Sequence, residues 1–105
     1  MAKKNAIRVT PSTGNVFRDL GFSKEESEHL LVRADLLIQV QKAIASKGLK
    51  QSEAAKTLRV TQPRVSDLLR GRIDLFSTDA LIDMLARLGV GVRLVVKSAK
   101  SKKVA

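Results

Sequence analysis

Cysteine, tryptophan and tyrosine are all absent from the 105 residues, and the three aromatic side chains are Phe. Without cysteine there can be neither a disulfide framework nor a thiolate metal centre, so packing alone must hold the chain together. So few aromatics argue against gripping unpaired bases by stacking, which makes single-stranded nucleic acid a less natural ligand than a duplex. The single histidine, His29, cannot build a protein metal site of the usual kind and is read as a helix-face residue. With one histidine on an acidic segment no Ser/His/Asp arrangement is readable, and an enzyme is not expected. No apolar run approaches about 18 residues, so no segment spans a membrane. Lys3, Lys4 and Arg8 are not followed by the apolar stretch of a secretory signal. The expectation is a cytoplasmic chain with no metal, no cofactor and no membrane partner.

What the chain has in excess is positive charge. Twenty Lys and Arg stand against ten Asp and Glu, a formal net charge of +10. Such a balance calls for a polyanionic partner, nucleic acid before an anionic membrane surface. The charge is also unevenly placed. Between positions 15 and 35 the acids Asp19, Glu25, Glu26, Glu28 and Asp35 outnumber Arg18, Lys24 and Arg33. Lys47, Lys50, Lys56, Arg59, Arg64, Arg70 and Arg72 then face only Glu53 and Asp67, and from Met84 onward there are six Lys or Arg and no acid. This asymmetry fits one face for DNA and a separate face for something else. The glutamates also suit the start of a helix, where the dipole favours negative charge.

Residues 1–14 read as a flexible basic arm, residues 15–97 as one domain and residues 98–105 as a disordered lysine-rich tail. Val16, Phe17 and Leu20 suggest a short helical turn before Gly21. Ser23 and Glu26 form a capping box, so a long helix is expected over residues 24–47. Leu30, Leu31, Ala34, Leu37, Ile38, Ile44 and Ala45 would make its apolar face, and Gly48 would end it. A short helix is expected over 51–58 and another over 62–70, the latter with Thr61 as cap, Pro63 in its first turn and Gly71 at its end. Ser77 or Thr78 caps a further helix closed by Gly89, with Ala80, Leu81, Met84, Leu85 and Leu88 on one stripe. From Val90 to Val96 the period changes to two, which is a strand. A lone strand has unpaired backbone on both edges. It needs a second copy of itself, an edge strand of another protein, or a place against the helices as an extended tail.

The segment with the most specific pattern is 51–71. Two helices joined by about three residues cross steeply only if the residue near the crossing is small, and Ala55 meets that need. Leu58, Val60, Val65 and Leu68 then fall inward with it as a small core, leaving the outer face of 62–70 free to enter a major groove about 12 Å wide.

These residues resemble the helix-turn-helix of the Cro/repressor superfamily, called the Xre family in bacteria. Leu49-Lys-Gln-Ser-Glu-Ala-Ala55 and Val60-Thr-Gln-Pro-Arg-Val-Ser-Asp-Leu68 carry the likeness. The longer pattern is similar to HigA-like antitoxins of type II toxin–antitoxin systems: Asn15-Val-Phe-Arg-Asp-Leu-Gly21, a long helix, the motif, Arg70-Gly-Arg-Ile-Asp-Leu-Phe-Ser77 and Leu88-Gly-Val-Gly-Val-Arg-Leu94. The resemblance implies a mainly α fold, a lambda-repressor-like bundle of about four to five helices with a short C-terminal β-strand. It also implies a homodimer on duplex operator DNA and a toxin partner, a small mRNA endonuclease, for which the acidic stretch 19–35 is the candidate surface. Small regulators without any toxin share the layout.

The resemblance places Gln62, Arg64 and Ser66 at base edges, with Arg64 suited to guanine and Gln62 to adenine; the alternative for Arg64 is phosphate alone. Gln51 resembles the family's phosphate-binding glutamine. Lys50, Thr61, Arg70 and Arg72 are phosphate clamps that position the protein without reading sequence. Asp67 either accepts from cytosine or pairs with Arg64 or Arg70, the pairing being favoured. The turn residue after Leu58 is often Gly in this motif because the backbone there is left-handed. Here it is Arg59: either the turn differs slightly from the usual one, or a cost of roughly a kcal/mol is offset by a phosphate contact.

Overall fold

The computed structural model describes residues 6–9 and 16–96. Its elements run β1 (Ala6–Val9), α1 (Val16–Asp19), α2 (Lys24–Ser46), α3 (Gln51–Leu58), α4 (Gln62–Leu69), a 3-10 turn (Ile73–Leu75), α5 (Thr78–Arg87) and β2 (Gly91–Leu94). The fold is mainly helical, as expected, and the boundaries follow from local chemistry. The Ser23 hydroxyl accepts from the Glu26 N–H at 3.1 Å, and Glu26 Oε1 accepts from the Ser23 N–H at 3.2 Å, so the capping box forms. At the other end of α2 the chain turns at Gly48 with φ +64°, a conformation that glycine adopts without steric penalty. Ser77, rather than Thr78, caps α5 by accepting from the Ala80 N–H at 3.1 Å.

α2 is the scaffold on which the rest assembles. It packs against α5, α1, β1, α4 and the 3-10 turn. Contact on several sides explains why its buried residues are not the single stripe expected. Leu31, Leu37 and Ile44 are buried as expected, but Ile38 and Ala45 are exposed and Leu36 and Val40 are buried in their place. The core joins Leu36, Leu37, Val40 and Ile44 to Ala54, Ala55 and Leu58 of α3, Val65 and Leu68 of α4, Phe76, and Leu81, Met84, Leu85 and Leu88 around α5. Ser27 is buried beside this core, and its hydroxyl has no partner among the described residues.

The strand differs from expectation in extent and in partner. β2 is the four-residue Gly91–Leu94 rather than the whole of 90–96. It pairs in parallel with β1 of the same chain, in the register Ala6 with Gly91, Ile7 with Val92, Arg8 with Arg93 and Val9 with Leu94. One edge of β2 is therefore satisfied within the chain, by a segment assigned from sequence to the flexible arm. The pairing reconciles both, because a lone strand leaves a full row of backbone donors and acceptors without partners. Four residues between loop signals are too short to display a period, so β1 leaves no trace in the hydrophobic pattern. The rest of the arm, 1–5 and 10–14, and the tail 98–105 lie outside the described residues.

Candidate nucleic-acid interface

α3 and α4 pack against each other through the residues expected to form the motif core. Ala55, Leu58, Val65 and Leu68 are buried, and Val60 is half-buried against them. The joint between the helices is short and tightly bonded. Arg59 adopts φ 61° and ψ 44°, so the turn keeps the left-handed conformation usual for this motif rather than differing from it, and among the described residues Arg59 is the one non-glycine with positive φ. The Val60 N–H then donates to the Ala55 carbonyl at 3.0 Å, which tucks Val60 back under α3. Thr61 caps α4 by accepting from the Arg64 N–H at 3.3 Å, and Pro63 sits in the first turn, where no intrahelical donor is required. α4 ends at Leu69, with Arg70 as its C-cap and Gly71 at φ +78°.

With Val65 and Leu68 facing the core, the repeat of about 3.6 residues sets the rest of α4. Its outermost side carries Pro63, Ser66, Asp67 and Arg70, with Gln62 and Arg64 at the borders of that side. Gln62, Pro63 and Arg70 are exposed; Arg64, Ser66 and Asp67 are half-buried. Of the three residues assigned to base edges, Ser66 is therefore on the outward face, while Gln62 and Arg64 flank it. Asp67 pairs with Arg70, Oδ1 to Nη2 at 2.7 Å, the favoured reading of that acid. Arg72, just past Gly71, lies 3.4 Å from Asp74, and this hydrogen bond holds the exposed Asp74 carboxyl below its ordinary pKa.

The remaining residues assigned to phosphates flank α3 and α4 in sequence. Lys50 is the extended residue before α3, and its N–H donates to Glu53 Oε1 at 2.8 Å. Gln51 opens α3, Arg59 occupies the turn, and Thr61 opens α4. Lys50, Gln51, Arg59, Thr61, Arg70 and Arg72 are all exposed. Their density of positive charge suits a polyanion.

Three features of the site were not read from sequence. The Gln41 side-chain amide donates to the Leu68 carbonyl at 2.9 Å, reaching from α2 to the last turn of α4. The Arg87 guanidinium donates to the Leu58 carbonyl at 3.3 Å, reaching from α5 to the end of α3. Each half of the motif thus has a C-terminal carbonyl engaged by a distant polar side chain, Leu58's by Arg87 and Leu68's by Gln41, the latter beside a bond from the Gly71 N–H at 3.1 Å. The third is the Arg64 guanidinium, whose carbon lies 4.4 Å from the centroid of the Phe76 ring. Each involves partners far apart in sequence, which no local pattern encodes.

Residues 16–97 match the family model described as a helix-turn-helix domain. The chain belongs to that family. A solved structure described as belonging to the XRE family of transcriptional regulators superposes on this helix-turn-helix domain with a TM-score of 0.67 at 28% sequence identity, over 76% of this chain and 91% of the other. No curated protein matches the sequence. The family and the superposition together make this an Xre-type helix-turn-helix protein. Among its described residues no helix is long and apolar enough to cross a membrane.

Proposed function

We propose that this protein is a sequence-specific regulator of transcription that binds duplex operator DNA as a homodimer. The observation that carries this reading is α4 itself. Its inner residues are locked into the core shared with α3, and its outer side is left to solvent among basic residues. A helix held in this way fits the major groove. Gln62, Arg64 and Ser66 contact base edges, and Lys50, Gln51, Arg59, Thr61, Arg70 and Arg72 contact phosphates. The structural neighbour's description as a transcriptional regulator supports the same role. Two copies would address half-sites about one helical turn apart. The edge of β2 turned away from β1 supplies one surface through which copies can pair.

Fluorescence anisotropy tests this with duplex DNA from upstream of the protein's own gene and a shuffled duplex of equal length. Preference for the native duplex that persists as salt rises supports a sequence reader. Equal, salt-sensitive binding to both contradicts it.

A second reading makes the protein an antitoxin that represses its own operon and neutralises a small mRNA endonuclease. Its support is the resemblance together with one surface. Leu20 is 69% exposed, and Phe22, also exposed, stacks edge-on against Phe17 at 6.2 Å. These apolar residues adjoin the acidic start of α2, a combination suited to a basic protein partner. Expression of the adjacent small gene, alone and together with this one, separates the readings. A neighbour that is harmless alone removes the antitoxin role and leaves a stand-alone repressor.

A further inference from the structure

Arg64 occupies an unusual position for a residue on a DNA-reading helix. It lies in the first turn of α4, and its guanidinium is laid over Phe76, which follows the 3-10 turn and is 1% exposed. Phe76 belongs to the core formed by α2, α3, α4 and α5, so the ring is fixed from below by packing. Its N–H donates to the Ile73 carbonyl at 3.3 Å, which ties it to the 3-10 turn. The neighbouring arginines Arg70 and Arg72 are engaged by Asp67 and Asp74. Among the described residues the Arg64 guanidinium has no carboxylate and no hydrogen-bond acceptor; its partner is the ring.

With its carbon over the ring and no acceptor for its N–H groups among the described residues, the Arg64 guanidinium keeps its donors available. These donors form a planar fork suited to two acceptor atoms at once, the arrangement offered by the O6 and N7 of guanine or by two phosphate oxygens. A long free arginine must give up many rotamers to present such a fork, whereas one already held on an aromatic face gives up fewer. The geometry points to Phe76 as a positioning residue that holds Arg64 ready for a bidentate acceptor on duplex DNA. The inference rests on the DNA-binding reading above and deepens it: contact by Arg64 depends on a core residue that touches no DNA.

The experiment is a double-mutant cycle on the full chain with Phe76→Met, Arg64→Ala and the pair, each checked for native helicity and melting. Affinities for the native and shuffled duplexes are measured at several salt concentrations. Phe76→Met is expected to weaken binding about three- to tenfold, the scale of a lost cation–π contact, and to have no further effect once Arg64 is Ala. Loss confined to the native duplex identifies a guanine edge as the acceptor. Equal loss on both duplexes, with a salt slope smaller by about one, identifies phosphate. The proposal is overturned if Phe76→Met leaves affinity unchanged, or weakens the Arg64→Ala protein as much as the wild type.

Should Phe76→Met fail to fold, Arg64→Lys carries the test. It keeps the charge but loses the planar fork, and is expected to show the same three- to tenfold loss; binding at the wild-type level overturns the proposal. A wild-type protein that does not prefer its native duplex defeats the sequence-reading function on its own. The cycle still reads the stack in that case, through binding to the shuffled duplex.

Discussion

The side-chain amide of Gln41 donates to the main-chain carbonyl of Leu68 across 2.9 Å, fastening the C-terminal part of α2 to the last turn of α4. The bond is partly buried, and it adds to the bond that the same carbonyl accepts from the Gly71 N–H at 3.1 Å. Gln41→Ala should therefore destabilise the protein by about 1 kcal/mol, lowering the melting temperature by roughly 4–8 °C. Thermal unfolding followed by circular dichroism measures this. An unchanged melting point would mean that the Gly71 N–H serves the carbonyl well enough without the Gln41 amide.

Arg59 offers a case in which stability and binding should move in opposite directions. Its left-handed backbone is strained for any residue with a Cβ. Arg59→Gly should raise stability by about 1 kcal/mol. The same change removes an exposed cation from the edge of the interface. Affinity for duplex DNA should fall, and the slope of log affinity against log salt should shrink by about one. Denaturant unfolding and salt-titrated anisotropy read the two effects separately.

Leu68 tests the dependence of the motif on its inner packing. It is fully buried between α4 and the core. Leu68→Ala should cost about 2–5 kcal/mol through lost burial and the cavity left behind. Because α4 is held by Val65 and Leu68, DNA binding should weaken in parallel with stability. Urea unfolding gives the first quantity and anisotropy the second. Full affinity in a strongly destabilised variant would contradict the link.

Asp35 gives a pH dependence with a definite sign. Partial burial raises its pKa above the ordinary aspartate value. The folded state therefore holds the proton more tightly than the unfolded chain. As pH rises through the carboxylate range the unfolded chain ionises first, and stability falls until the raised native value is passed. Asp35→Asn should thus be slightly more stable than the wild type at neutral pH, and the gain should vanish in acid below the ordinary aspartate pKa. Melting temperatures of both proteins across that range check the sign.

The opposed effects expected at Arg59 also mark how far the site could be read from residues alone. The residues left open whether the turn at Arg59 is left-handed or differs slightly, and the structure decided for the left-handed one. α3 and α4, the Thr61 cap of α4 and the residues of their shared core were legible from local pattern. Each rests on contacts within a few positions: Thr61 to Arg64, or Val60 back to Ala55. The orientation of α4 followed in part, since Val65 and Leu68 define its inner side. The pairing of Asp67 with Arg70 rather than Arg64, and the seat of Arg64 on Phe76, were decided by the structure.

What the sequence by itself determined is therefore local: where helices begin and end, which glycines turn the chain, and that a basic helix-turn-helix sits at its centre. Capping boxes, proline in a first turn and short apolar periods act over three or four residues, and their energies are expressed wherever the chain goes. The tertiary structure decided the rest. It found β2 a parallel partner in Ala6–Val9, replaced Ile38 and Ala45 by Leu36 and Val40 on the inner side of α2, sent Gln41 and Arg87 to the carbonyls of Leu68 and Leu58, and laid Arg64 on Phe76. Each of these depends on which surfaces meet when α2 is surrounded on several sides. Such a choice is made by the packing of the whole core, because burial rewards total fit rather than any one segment's pattern.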